Sequence, residues 1–363
     1  MTAKRITSHN DPALIELCGE LAARAAELDR HPVWPSEQLR LCGEYGVFEW
    51  FLDPLWGGQG WNEEQIVRGY LALSAACLTT TFIITQRTGA CRRIAGCENE
   101  PLKQRMLPGL ADGSLFATVG ISHLTTSHRH LAKPVLAATA APGGFRLDGF
   151  SPWVTGAAAA DTLVLAATLL ENGAATDREL IVAVPGDAAG VSVDDPLPLV
   201  GVSASCTGPV RLNGVIISFD QVIAGPVPNV MTSGVGASTG GHETSTLAIG
   251  LAQAAIEFLT AEAERRDNLI APAKALSSEQ QALRDDLLAI AKGNNVCSKE
   301  SLRGRANSLA LRASQAALAA AKGSGYVVGH PAGRWCREAL FFLVWSCPQP
   351  VANANLCELA GIE

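Results

Sequence analysis

Phe150-Ser151-Pro152-Trp153-Val154-Thr155-Gly156 carries the most information in this 363-residue chain. Gly149 predicts a turn that leads into a strand. The two-residue alternation of a strand then sets Trp153 and Thr155 on one face. One large flat aromatic beside one small hydroxyl can cover a planar cofactor ring and hydrogen-bond its edge. An ordinary buried tryptophan in a β-domain fits the same seven residues. Upstream, Gly120-Ile121-Ser122-His123-Leu124 reads as a second strand end carrying a hydroxyl.

Outward from that stretch the texture of the chain changes twice. Between about 114 and 225, short β-branched runs alternate with Gly, Pro and Asp, at Val135–Ala140, Gly144–Leu147, Thr162–Ala167, Leu180–Val184 and Val210–Leu212. This predicts a compact antiparallel β-domain, with Gly143-Gly144 as a tight turn. Before it, Leu14, Leu17, Leu21 and Ala25 recur at helical spacing. Pro35 opens a second helix ending near Gly46, and 62–95 and Glu100–Leu110 are again helical. After it, Leu247, Leu251, Ala254, Ala255 and Phe258 line one helix face. Further helices are expected over Ser278–Lys292, Ser298–Lys322 and, last, Arg334–Trp345. The resulting division is 1–113, 114–228 and 229–363.

Bulk composition narrows the function classes. A formal net charge of −7 argues against a nucleic-acid or anionic-membrane surface. The basic pairs Arg92-Arg93 and Arg265-Arg266 read as solvated helix faces. No secretory h-region is visible near the start, and no apolar run reaches the ~20 residues a spanning helix needs. Ten cysteines are spread singly, without CxxC pairs, so they read as reduced thiols. The expected location is cytoplasmic, with no membrane partner.

Eight short motifs, in order, resemble the acyl-CoA dehydrogenase family over nearly the whole chain. They are the Pro54…Gly57-Gly58-Gln59-Gly60 loop, Leu102–Pro108, Gly120-Ile121-Ser122, Trp153-Val154-Thr155, Ser205-Cys206-Thr207, Gly250-Leu251-Ala252-Gln253, Gly323-Ser324-Gly325-Tyr326 and Arg337-Glu338-Ala339. The resemblance implies an α+β fold with an N-terminal helical domain, a central antiparallel β-domain and a C-terminal helix bundle. It implies a flavin held by Ser122, Trp153 and Thr155, with Arg266, Gly323 and Gly325 on the dinucleotide side. It also implies a homodimer or homotetramer assembled through the C-terminal helices.

The departures from the family pattern bear on chemistry. The family follows Arg-Asp-Ala with Tyr-Glu-Gly-Thr, whose glutamate takes the α-proton of an acyl thioester. Here that register reads Trp345-Ser346-Cys347-Pro348. An unassisted hydroxyl has no useful basicity near neutral pH, so Ser346 is not that base. Other members carry the glutamate on the first long C-terminal helix, at a position that falls on Gly240. His242 and Glu243 lie within about one turn of it. Either could reach the same pocket after a small shift; Glu243 is the candidate base, or simply an acid at the positive end of a helix.

The family's Arg-x-Phe-Gly appears as Arg266-Asp267-Asn268-Leu269-Ile270, and a family glutamine is Ala319. The cofactor is thus FAD, FMN or none. In the loop 122–130, His123 is a candidate proton-transfer group, with a pKa of ~6.5 for an ordinary histidine. Thr125, Thr126, Ser127 and Arg129 are candidate ligands for substrate oxygens, beside Trp345 and Ser346. No carboxylate or cysteine joins the loop's three histidines, and no metal site is assigned. Three functions are compatible with these residues: a flavin-dependent oxidoreductase on an acyl-CoA or related small molecule, a flavin monooxygenase on the same fold, and an inactive paralogue that binds an acyl ligand or a partner.

Overall fold

The computed structural model describes residues 4–125, 134–232, 234 and 241–362. Five helices come first: α1 (Pro12–Arg30), α2 (Ser36–Glu44), α3 (Glu63–Ala76), α4 (Leu78–Gly96) and α5 (Glu100–Asp112). Asp11 caps α1 by accepting from the Ala13 amide, and Leu14, Leu17, Leu21, Ala25 and Leu28 form its buried stripe. Asn62 and Gln65 close α3 with a reciprocal capping box.

The middle of the chain holds β1 (Ala117–Gly120), the four-residue α6 (Ser122–Thr125), β2 (Leu136–Ala141), β3 (Gly144–Thr155), β4 (Thr162–Glu171), β5 (Ala174–Pro185), β6 (Val191–Val193), β7 (Thr207–Ser218) and β8 (Val222–Pro228). The sheet order is β6-β7-β3-β2-β4-β5-β8, with β1 beside β4. Most pairings are antiparallel, as expected, but β1–β4 and β2–β4 are parallel, so the sheet is mixed. Two turn expectations shift. Gly149 lies inside the continuous strand β3 with φ 125°, and Gly144 opens that strand behind a Pro142-Gly143 hairpin turn.

The sheet has two apolar faces. Leu136, Leu147, Val154, Leu165, Val182 and Val210 pack among themselves. Val119, Val164, Ala166 and Ile181 pack on Ala90, Ile94 and Leu107 of α4 and α5. These helices therefore fix where β1 and its neighbours end.

The C-terminal helices are α7 (Glu243–Ala263), α8 (Ile270–Ala291), α9 (Lys299–Ala321), α10 (Pro331–Leu340) and α11 (Gln349–Ala360). α8 begins eight residues before the expected Ser278, because Ile270, Ala273 and Leu276 continue its apolar spacing. α11 lies beyond the segment expected to be the last helix. Of the described helices, α7 alone is long and apolar enough to cross a membrane, contrary to the sequence expectation, but 67% of its most apolar window is buried in the protein. Its apolarity is that of a core helix. At Gly250, a Cβ would lie 2.7 Å from Ser74 Cβ and 2.8 Å from Leu71 O, so α7 and α3 touch at backbone distance.

Candidate active site

β3 reaches the site through a bulge. Ser151 pairs with Val210 and Val154 with Gly208, so Pro152 and Trp153 together oppose one residue of β7. The extra residue re-aims the last side chains of the strand. Ser151 and Val154 both turn toward Gly120, where a Cβ would lie 2.7 Å from Ser151 Oγ and 2.8 Å from Val154 Cγ2. Trp153 is left 44% exposed. Thr155 is buried, and its hydroxyl lies 2.9 Å from Thr207 Oγ1, which lies 2.9 Å from Ser205 Oγ. Gly156 then turns the chain at φ 62° under Trp34.

Ser122 opens α6, which packs against β3. The next residue, His123, is buried with Nε2 2.7 Å from Ala166 O. A carbonyl only accepts, so this nitrogen donates and ties α6 to the sheet. Thr125 ends α6; its side chain, with Thr126, Ser127, His128, Arg129 and His130, lies outside the described residues. Among the described residues, no three His, Cys, Asp or Glu side chains are placed to hold a metal ion.

The pair Arg92-Arg93 is not a solvated face. Arg93 is 3% exposed, and burial pulls its guanidinium down to about 10, against the opposing pull of Glu243. Gly89, one turn earlier, faces Val119 of β1. Arg92 turns to the other side, donating from Nη1 to Glu243 Oε1 at 2.9 Å and lying 3.5 Å from Glu63 Oε2. His242 Nε2 lies 3.0 Å from Glu63 Oε1. The His242 bond holds the Glu63 carboxyl below its usual range; burial opposes this and Arg92 assists it. Glu243, the candidate base on α7, is therefore the carboxylate of an ion pair that joins α7 to α4.

Away from this cluster the expected residues divide. Arg266 Nη2 donates to Glu262 Oε2 at 2.5 Å and to Ala320 O at 2.7 Å, joining the ends of α7 and α9. Gly323 is open to solvent, whereas a Cβ at Gly325 would lie 2.7 Å from Ala321 Cβ. Trp345 stacks on Phe341 at 5.0 Å and meets Phe82 of α4 edge-on at 5.0 Å. Its carbonyl accepts from the buried Arg303 at 2.8 Å. Ser346 comes next, at φ 46°. Trp345 thus forms an aromatic wall with α4, while Arg266 and Trp153 belong to separate regions.

The β3 end fits a planar ring in two respects. It leaves a large indole exposed on a strand whose flanking residues are buried, and it sets hydroxyl-bearing Thr155 and Ser122 on adjoining elements. Within one chain, Arg266 is committed to protein acceptors. The Glu63–His242 contact, which joins residues 179 positions apart, is absent from the sequence expectations. The one available signal was polar: a His-Glu pair opening an otherwise apolar helix.

Residues 17–114 match the family model for the acyl-CoA dehydrogenase N-terminal domain. The chain is 23% identical over 337 residues to the probable acyl-CoA dehydrogenase YngJ of Bacillus subtilis, covering 88% of each. Its fold is similar to butyryl-CoA dehydrogenase from Megasphaera elsdenii, with TM-score 0.82 and 14% identity over 96% of this chain and 97% of that one. It is also similar to KijD3 in complex with FMN and a dTDP-linked amino-keto sugar, with TM-score 0.76 and 21% identity over 100% of this chain and 95% of that one.

Proposed function

Because this chain belongs to the acyl-CoA dehydrogenase family, we propose that it oxidises the Cα–Cβ bond of a small acyl-CoA or related thioester with a bound flavin. One observation carries the reading: Trp153 stands exposed at the β3 bulge, beside Thr155 and α6. When bound there, a flavin supplies the hydride acceptor. Trp153 would cover the ring, and Thr155 and Ser122 would offer hydroxyls to its edge.

FAD is the favoured form by family. The exposed Tyr326, Val327 and Val328 support self-association through the C-terminal region, where a second copy would cover them. Ten free thiols support a reducing, cytoplasmic setting.

The absorbance spectrum of the purified protein, followed by titration with an acyl-CoA panel, tests the proposal. A flavin band that bleaches with one acyl-CoA is expected. A protein that stays colourless after incubation with FAD and with FMN would defeat it.

A second reading is a flavin monooxygenase. Ser346 in place of a carboxylate favours it, as does the likeness to a structure holding FMN and an amino-sugar nucleotide. Trapping a flavin–oxygen adduct after reduction, with no bleaching by any acyl-CoA, would select this reading.

A further inference from the structure

Three buried hydroxyls stand in a row behind the end of β3. Thr155 and Thr207 are directly paired across β3 and β7, so their side chains share one face of the sheet. Thr207 Oγ1 lies 2.9 Å from Thr155 Oγ1 and 2.9 Å from Ser205 Oγ. Among the described residues, the three hydroxyls have no other hydrogen-bond partner. The turn that carries Ser205 is held firmly. Val202 and Cys206, on either side of it, sit at φ 51° and 47°, a left-handed backbone that valine rarely adopts. The Gly156 amide, next to Thr155, donates to Ser205 O at 3.1 Å and to Cys206 O at 3.2 Å. The turn and the strand end therefore fix each other's place.

Counting hydrogens gives the row a direction. A hydroxyl has one hydrogen and two lone pairs. Two bonds among three hydroxyls use two hydrogens and leave one over. If both neighbours donated to Thr207, its own hydrogen would be buried without an acceptor. Left on Ser205, which is 0% exposed, the spare hydrogen meets the same penalty. Left on Thr155, it lies two residues beyond the exposed Trp153. Val154 turns inward between them, so Trp153 and Thr155 share the other face of β3. A ligand seated there can supply the missing acceptor. The order Ser205 to Thr207 to Thr155, each donating to the next, is the one a bound acceptor satisfies in full.

We propose that Ser205 and Thr207 are positioning residues that make Thr155 a hydrogen-bond donor, so the ligand edge seated at the end of β3 is one that accepts. Its atom there is a carbonyl oxygen or a ring nitrogen with a free lone pair. The inference rests on the flavin reading of this site and deepens it. An edge bearing N–H would reverse the row and strand a hydrogen on Ser205, so the site selects against it.

The test measures the Kd of oxidised FAD for the whole chain by fluorescence quenching. Thr155→Val should weaken binding about tenfold, the worth of one hydrogen bond. Thr207→Val removes the hydroxyl and keeps the shape, and should weaken binding about threefold. Thr207→Ser should match wild type. The double variant should bind no more weakly than Thr155→Val alone, because Thr207 acts only through Thr155. A merely structural Thr207 would add its own loss in the double variant, and that result would overturn the proposal. So would a Thr207→Val protein that binds FAD as tightly as wild type. Proton NMR of threonine-labelled protein reads the direction of the row without FAD. The Thr207 hydroxyl hydrogen should lie nearer the Thr155 methyl than the Ser205 Cβ hydrogens. A hydrogen turned toward Ser205 would overturn the proposal for any ligand. If it points to Thr155 and wild type binds neither FAD nor FMN, the row stands and the flavin reading has failed.

Discussion

Trp153 and Gly156 stand three residues apart and tolerate opposite changes. Trp153 is 44% exposed, so Trp153→Ala should alter stability by about 1 kcal/mol. If the ring it covers is a flavin, retention through gel filtration should fall sharply, and the ratio of visible to ultraviolet absorbance measures this. Unchanged retention would remove Trp153 from the site. Gly156 allows no side chain. A Cβ there would lie 2.3 Å and 2.4 Å from two atoms of Trp34, on a backbone at φ 62°. Left-handed strain and overpacking each cost about 1–2 kcal/mol, so Gly156→Ala should lower stability by about 2–4 kcal/mol in urea unfolding. A loss below 0.5 kcal/mol, on the order of a neutral surface change, would mean that Trp34 yields freely.

At the scale of elements, α3 delivers Glu63 in its first turn, immediately after its cap. Asn62 Oδ1 accepts from the Gln65 amide at 3.0 Å, and Gln65 Oε1 accepts from the Asn62 amide at 2.9 Å. Asn62→Ala should cost about 1 kcal/mol. It should also raise hydrogen exchange at 63–66 while leaving the rest of α3 protected. If exchange there is unchanged, the box does not hold Glu63 in place. Elements of this kind were legible in the sequence where the signal is local. The α1 stripe and the extent of α9 stand in the periodicity, and the β-branched runs between about 114 and 225 located the sheet between two helical regions. The bulge at Pro152-Trp153 was not legible, because it depends on the register against β7. The parallel pairings of β1 and β2 with β4 were hidden for the same reason. In the site, Trp153 and Thr155 could be picked out by type and spacing. The contact of Glu63 with His242 exists only once α3 and α7 pack, and the burial of Arg93 only once β1 covers α4.

Across the whole molecule, one buried carboxyl joins all three regions. Glu338 of α10 faces Asp29 of α1, Thr79 of α4 and the 201–204 loop that leads to β7. Arg337, its neighbour, grips both oxygens of Asp29 at 2.5 Å. Among the described residues Glu338 is ion-paired with Arg334, whose Nε is 3.7 Å away, too far for a hydrogen bond, with Arg337 as a weaker charge nearby. Burial therefore prevails over this weak ion pair and raises the Glu338 carboxyl from 4.5 to about 7. Below about pH 4.5 both folded and unfolded chains hold the proton. Between 4.5 and 7 the unfolded chain releases it and the folded protein keeps it, so this group's contribution to stability falls as pH rises and is lost above about 7. The size is about 3 kcal/mol, at 1.36 kcal/mol per pKa unit. Paired carboxylates such as Glu63 titrate with the opposite sign, so the effect belongs in a difference. Glu338→Gln keeps the shape and cannot ionise. Its stability relative to wild type should climb by about 3 kcal/mol between pH 4.5 and 8 in parallel urea titrations, with most of the change below pH 7. A constant difference across that range would show that the carboxyl ionises at its ordinary value, and that the junction of α1, α10 and the sheet is open to water.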